Sequence, residues 1–405
     1  MIGSRLFFAL IVMWPLACGA DDRVKPDYAF DGAISRQVLE NYLARAITMN
    51  GMSYSPCFED DLRMVDSLDA KLLSFVAYLW GQPPADEEAY WRHVKSVAER
   101  IHRSDPDRIL QAGVFEAIYD GIDRLTIPAW VFEACGEPVE ARNFSYAAML
   151  FDNGFGRNHW GPGASIPDIT KPETRRWFYY RAAQYIDSGY EAIEFGQIAL
   201  TAAGDPELRH LGELLKRVRR YAATKARRHY VLLNTQTDVT ARPLVYEGKL
   251  LFDFLNFPLR PKEVPGQPEK AILELGHADT IIGRSPGGVH PSGWHCEHLP
   301  YLVNFDQCLA SGREGQPNTG LPWVWGYEEA AWLAHQPAEY RNEWLAYAHD
   351  WVRRTDPNGH LTMPGSLPLA VKVHDDRWYR ANTPSTACPT GGGQETTIKA
   401  IWNKP

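Results

Sequence analysis

From Lys171 to Gln236 the chain repeats one unit twice: a long helix-like segment, then a short apolar run with polar residues at its end. Lys171 to Asp187 reads as helix and closes at Gly189, and Glu191 to Gly196 is the first apolar run. A second helix from about Pro206 to Ala226 leads into Tyr230 to Leu233, which ends in Asn234 and Gln236. This alternation predicts a (β/α)8 TIM barrel, an architecture whose chemistry gathers at the C-terminal ends of its strands. Within the first run, Ile193 and Phe195 alternate with Ala192, Glu194 and Gly196. Successive strand residues face opposite sides, so the large apolar pair suits the helix layer and Glu194 turns toward the barrel axis. A carboxylate there is expensive to bury without a partner or a task. Glu194 is therefore the leading functional candidate.

The rhythm extends in both directions. Ala46 to Asn50, Leu72 to Trp80 and Ile109 to Glu116 read as the first three strands, with Asp86 capping a helix between the second and third. Leu250 to Leu255 reads as the sixth, Thr280 to Gly283 as the seventh and Pro322 to Trp325 as the eighth. Gly121 to Asp168 interrupts the pattern as a long β3α3 loop, with an aromatic, glycine-rich stretch at Asp152 to Gly163. Loops this long in compact domains are commonly functional. Residues 21–355 are expected to form the barrel, and 356–405 an irregular C-terminal extension packed on it.

Residues 1–20 carry the pattern of an export signal: Arg5, an apolar core from Leu6 to Ala17, then Cys18-Gly19-Ala20. A secreted or periplasmic protein is the expectation. Ala17-Cys18-Gly19 leaves a lipid anchor at Cys18, and an outer-surface lipoprotein, as the alternative, although Pro15 stands where Leu is expected. No other segment of the mature chain reads as transmembrane. Apart from Cys18, the cysteines are Cys57, Cys135, Cys296, Cys308 and Cys388, an odd number at long spacings that match no metal framework. A net charge of −8 with no basic block argues against nucleic acid as a partner. Gly-rich phosphate cradles and a Gly-x-Ser-x-Gly elbow are absent, and no cofactor is implied.

Glu116, Glu194, Glu297 and Glu328 fall at or just beyond expected strand ends. Hydrolysis of a glycosidic bond needs two carboxylates, one protonated as acid and one ionised. Glu194 with Glu116 is the first choice for that pair, with Glu328 in reserve. Trp80, Gln197, Asn234 and Gln236 sit where strands hand over to loops, and amides there match hydroxyls that both donate and accept. His159 and Trp160 in the long loop, Trp294, His295 and Glu297 in the run His290 to His298, and Trp325 complete the candidate substrate contacts. His290, His295 and His298 also form the densest group of potential metal ligands, which makes a metal-dependent hydrolase one alternative. A non-catalytic carbohydrate-binding barrel is another. The ordinary reading of these residues as loop anchors and core aromatics stands beside each assignment.

One stretch carries a family likeness. Pro167-Asp168-Ile169-Thr170-Lys171-Pro172-Glu173-Thr174-Arg175, followed by a helix and Gly189-Tyr190-Glu191-Ala192-Ile193-Glu194-Phe195, resembles the TIM-barrel glycoside hydrolase superfamily. Many of its members open the corresponding helix with Asp-x-x-x-Pro-Glu-x-Arg and end the next strand in a functional carboxylate. The resemblance implies a carbohydrate substrate and an acid/base or nucleophile role for Glu194. Ile193 stands where one large clan has Asn, and the expected seventh strand lacks a terminal Glu.

Overall fold

The computed structural model describes residues 26–236, 244–279, 282–283, 285–307, 309–317, 320 and 322–404. The export-signal segment with Cys18, and Cys308, lie outside the described residues.

Helices begin where local chemistry says they should. Ser35 accepts from the Val38 N–H to start α1 (Arg36–Leu43). Asp86 accepts from the Ala89 N–H to start α3 (Glu87–Ser104), which follows α2 (Phe58–Leu68). Each cap satisfies a backbone donor that has no partner within its helix. Acids in the first turn of α3 and Arg103 in its last complement the helix dipole. Pro172 opens α4 (Pro172–Asp187), where its missing N–H costs nothing. Further along come α5 (Arg209–Lys225), α6 (Glu329–His335), α7 (Ala338–Thr355) and α8 (Glu395–Trp402).

Ten strands form one curled sheet: β1 (Ala46–Met49), β2 (Leu72–Tyr78), β3 (Ile109–Gly113), β4 (Ala192–Gln197), β5 (Leu232–Gln236), β6 (Phe254–Pro258), β7 (Tyr301–Asn304), β8 (Gly359–Leu361), β9 (Met363–Val373) and β10 (Asp376–Arg380). Their order is β8-β7-β6-β5-β4-β3-β2-β1-β9-β10, and every pairing is parallel except β9 with β10.

The first five strands lie where the sequence rhythm places them. The last three require correction. The sixth runs later than expected, at Phe254–Pro258. Thr280 and Ile281 of the expected seventh strand lie outside the described residues, and the sheet takes Tyr301–Asn304 instead. Val324 makes only an isolated bridge to Tyr327, so Pro322 to Trp325 is no sheet strand. The segment from 356 onward is not irregular: it supplies β8, β9, β10 and α8. Pro364, Gly365 and Pro368 disguise it, because proline inside a strand speaks against one. Here Pro364 and Pro368 sit beside ladder irregularities, at the Thr48/Met49 and Pro368/Val373 register shifts.

Two layers of side chains fill the concave face. Ala46, Leu72, Ile109, Ala192, Leu232, Phe254 and Leu302, one from each of β1 to β7, pack together with Val38, Leu39, Tyr42 and Leu43 of α1. The N-terminal helix thus plugs the end of the curl where the strands begin. Two positions later on the same strands stand Thr48, Ser74, Gln111, Glu194, Asn234, Asn256 and Asn304, facing the same way by the period of two. Every one is polar. Gln111 Nε2 donates to Asn234 Oδ1 at 2.9 Å, and Asn256 Nδ2 to Glu194 Oε2 at 3.1 Å. Each of these bonds passes over an intervening strand, a reach that only a strongly curled sheet allows.

The apolar plug contributes to stability through fully buried side chains. Leu39→Ala should lower the unfolding free energy by about 2–5 kcal/mol, the usual cost of truncating a fully buried leucine. Urea unfolding followed by tryptophan fluorescence measures it, with an unchanged slope confirming that the fold itself is kept.

Candidate active site

The polar layer holds the chemistry because it is buried and incompletely satisfied. Among the described residues, Asn50 Oδ1, Ser74 Oγ, Gln111 Oε1, Glu194 Oε1, Asn234 Nδ2, Asn256 Oδ1, Asn304 Oδ1 and Ser366 Oγ have no hydrogen-bond partner, although each atom is shielded. They come from β1 to β7, or the residue after β1, and from β9. Buried polar atoms are nearly always paired in native proteins, so a ring of unpaired ones asks for a functional account. Such a ring is built to hold something rich in donors and acceptors.

Glu194 stands in this ring with no exposed surface. Its Oε2 takes the Asn256 amide, and the Asn234 amide lies close enough to lower its pKa as well without reaching hydrogen-bond geometry. Neither neutral amide offsets the cost of burial. Desolvation first, then the negative charge of Glu116, pushes the Glu194 carboxyl up to about 8.

Glu116, just beyond β3, is 3 % exposed. Its Oε2 accepts from the Gln197 N–H at 3.0 Å and its Oε1 from Gln197 Nε2 at 3.1 Å. Burial raises its pKa, while these two donors favour the ionised form. Gly196 explains how the carboxylate fits. It has φ of +62°, and a Cβ there would lie 1.9 Å from Glu116 Oε2. Gly196 is two residues past Glu194 on the same face of β4, so the two acids stand one above the other on one wall.

A third acid was missed from the sequence. Asp306, two residues past the end of β7, adds its negative charge to the field at both Glu194 and Glu116. Arg260, two residues past β6, holds Asp306 at 3.0 Å and the buried Glu329 at 2.7 Å. Thr48, Ser74, Gln111 and Asn304 also escaped selection as site residues. The signal was present as a recurring apolar-x-polar triplet, from Ala46-x-Thr48 through Leu302-x-Asn304.

The rim beside Glu116 is aromatic. Phe115 lies across Gly113, where an added Cβ would come within 2.6 Å of its ring. Trp80 meets Phe115 edge-on at 5.5 Å and Trp160 at 5.1 Å, and His159 packs on Trp160 at 4.4 Å. Trp80 is 45 % exposed, large for a tryptophan with so many aromatic neighbours. Gln236 ends β5 in register with Gln197 and Asn256. Gln197 thus bonds Glu116, Asn234 lies beside Glu194, Gln236 is in register with Gln197, and Trp80, Trp160 and His159 continue outward from Phe115, the residue before Glu116.

Four other candidates lie elsewhere. Trp294 donates its indole N–H to Ile34 O and stacks on His290, placing it with α1 at the opposite end of the curl. His290 pairs with Asp253, which precedes β6, and Ser292 bonds Tyr230, which precedes β5. The His290 to His298 loop leads into the start of β7, so His295 and Glu297 are exposed far from Glu194. Among the described residues, no group of three or more His, Cys, Asp or Glu could hold a metal ion. Trp325 is buried, with its N–H groups bonded to Glu263 and Lys270 O.

Glu328 is also removed from the pair. Its Oε1 accepts from the Ala370 N–H, four residues past Ser366, where β9 last meets β1. At about 3.3 Å per residue that is on the order of 13 Å along the strand. Glu328 ties the start of α6 to the β9–β10 hairpin.

No family model matches the sequence, and no curated protein matches it significantly. Solved structures similar to the chain include an alpha-galactosidase from Thermus thermophilus, at 17 % identity over 48 % of this chain and 36 % of that one, TM-score 0.28. An isomalto-dextranase from Arthrobacter globiformis T6 is 10 % identical over 67 % of this chain and 49 % of that one, TM-score 0.37. The glycoside hydrolase domain of PelA from Pseudomonas aeruginosa is 12 % identical over 60 % of this chain and 86 % of that one, TM-score 0.29. The chain spans between a third and a half of the first two.

Proposed function

We propose that this protein hydrolyses O-glycosidic bonds in an oligo- or polysaccharide, with Glu194 as the general acid and Glu116 as the ionised partner. The observation that carries this reading is the buried pair: burial raises both carboxyls, but their immediate partners differ. Glu116 has two donors that favour its charge, whereas Glu194 has neutral amides, burial and a negative neighbour that favour the proton. Two carboxyl groups whose environments push their protonation apart are what glycoside hydrolysis requires. Glu194 Oε1, unpaired among the described residues, is the atom that would hand its proton to the leaving oxygen. The ring of amides and hydroxyls would then bond the sugar hydroxyls, and Trp80, Phe115 and Trp160 offer ring faces and edges to its apolar side.

In this reading the sheet is a closed (β/α)8 barrel. Only Thr362 separates β8 from β9, and its N–H bonds Val303 O. The continuous run from Gly359 onward borders β7 on one side and β1 on the other, which joins the two ends of the curl. Eight strands then surround the polar ring, and Ser366 supplies the eighth strand's member.

The first experiment incubates the purified protein with plant, algal and host glycans and assays reducing ends alongside ultraviolet absorbance. Reducing ends without absorbance are expected, with kcat lowered about 10²–10⁴-fold in Glu194→Gln, the usual worth of a positioned acid. Activity should decline as pH rises past about 8, where Glu194 loses its proton. Full activity in both Glu194→Gln and Glu116→Gln would overturn the assignment. If Glu116→Gln stays active and Asp306→Asn does not, Asp306 is the ionised partner.

Stability provides an independent check. A carboxyl raised in the folded protein binds its proton more tightly folded than unfolded. Stability therefore falls as pH climbs from the ordinary glutamate range, near 4.5, through about 8. Glu194→Gln removes that penalty. Its thermal midpoint should exceed that of the parent protein by several degrees at pH 8, with the gap closing by pH 5. A gap independent of pH would show that Glu194 is not the group that holds the proton.

A further inference from the structure

Cys57 precedes α2, and Cys388 lies in the segment between β10 and α8, yet the Cys57 thiol is near enough to add to the burial that raises the Cys388 thiol. Both are buried, at 7 % and 0 % exposure. The surroundings fix this meeting. Asn382 Nδ2 donates to Asp60 at 2.8 Å and to Asp61 at 3.1 Å, and Arg63 joins Asp60 to Glu395. Ser55 bonds Asp61 beside Cys57, and the Cys388 N–H bonds Ser385 Oγ. Neither Cys135 nor Cys296 has such a partner: the first meets Arg217 and the second Gly288 O.

We propose that Cys57 and Cys388 form a disulfide that staples the segment after β10 onto α2. Since β9 lies beside β1, and α2 follows β1, the bond would span the seam between the last strands and the first. A disulfide places its sulfurs at about 2.05 Å, with Cβ atoms about 3.8 Å apart. The two buried thiols sit on segments that the Asn382 and Arg63 bonds already clamp together, so closure needs side-chain rotation and a local approach. The oxidant is a small-molecule disulfide or a disulfide oxidoreductase. One cysteine, as thiolate, attacks it to form a mixed disulfide and release one thiol. The second cysteine then displaces the other thiol, so two electrons and two protons leave the protein and one S–S bond is exchanged for another. Burial pushes the Cys388 thiol up to about 12, so exchange is slow once the chain is folded, and the bond is made during folding and then persists.

The test refolds the full chain in a buffer of reduced and oxidised glutathione, then denatures, alkylates without reductant, digests and maps peptides by mass. The expected result is a linked pair of peptides carrying Cys57 and Cys388, about 2 Da lighter than the reduced pair and separated by dithiothreitol. Reduction should lower the thermal midpoint of the parent protein, and leave that of Cys57→Ser/Cys388→Ser unmoved. Complete alkylation of both thiols, or linkage of either to Cys135, Cys296 or Cys308, would overturn the proposal. The peptide map needs only the parent chain, so failure of the double variant to fold would leave the question decidable.

Discussion

The whole arrangement turns on one boundary, the level at which the concave face of the sheet changes from apolar to polar. Below it, seven strands and α1 bury hydrocarbon, each large side chain contributing about 1.5–3 kcal/mol. Above it, an isolated buried carboxylate costs several kcal/mol even after relaxation. The first layer offsets the second. Without the plug, a ring of unpaired amides and a protonated glutamate would leave too little driving force for the strands to curl around them.

The two ends of the curl treat buried charge in opposite ways. Where strands begin, Glu191 meets Arg227 at 2.7 Å and Arg228 at 3.1 Å, so burial that raises its pKa is opposed by two cations. Asp253 takes Arg219 at 2.9 Å, Tyr230 at 2.5 Å and the Leu233 N–H at 2.8 Å. These acids are saturated with donors. Where strands end, Glu194 has one hydrogen-bonded amide, and the nearest charges named in its field are negative. The acids at the first end are given cations, whereas Glu194 is given neutral amides and negative neighbours. Separating the two kinds needs no knowledge of substrate, because the field at the carboxyl distinguishes them.

Much of this was legible in the sequence, and the limits are physical. Helix–strand alternation placed β1 to β5, and the period of two inside β4 turned Glu194 inward before any coordinates. The later strands escaped for identifiable reasons. Among the described residues, the connections on either side of β6 carry short strands and turns rather than long helices, so the rhythm that announced the earlier strands falls silent there. Tyr301–Asn304 follows Pro300 and is short, and Met363–Val373 hides behind two prolines. Once those strands were misplaced, the His290 to His298 loop moved to the wrong end of the curl, carrying Trp294, His295 and Glu297 with it. Asp306 was lost to the same error, since it stands just beyond a strand that was not recognised. Long-range order decides which end of a sheet a loop serves, and local pattern does not carry it.

Gly196 shows how tightly the site and the strand depend on each other. β4 must deliver Glu194 inward, and two residues later must leave room for a carboxylate arriving from β3. Any side chain at that position would meet Glu116 Oε2, and φ of +62° already favours glycine. The same turn of backbone places the Gln197 N–H where Glu116 accepts it, beside the register shift between Glu194 and Gln197. Bulges of this kind re-aim strand ends next to active sites. One glycine thus makes the space, supplies the curvature and orients a donor that favours the charged form of Glu116 against its burial. That charge in turn helps hold the proton on Glu194. The difference between two chemically identical side chains is written in the backbone between them.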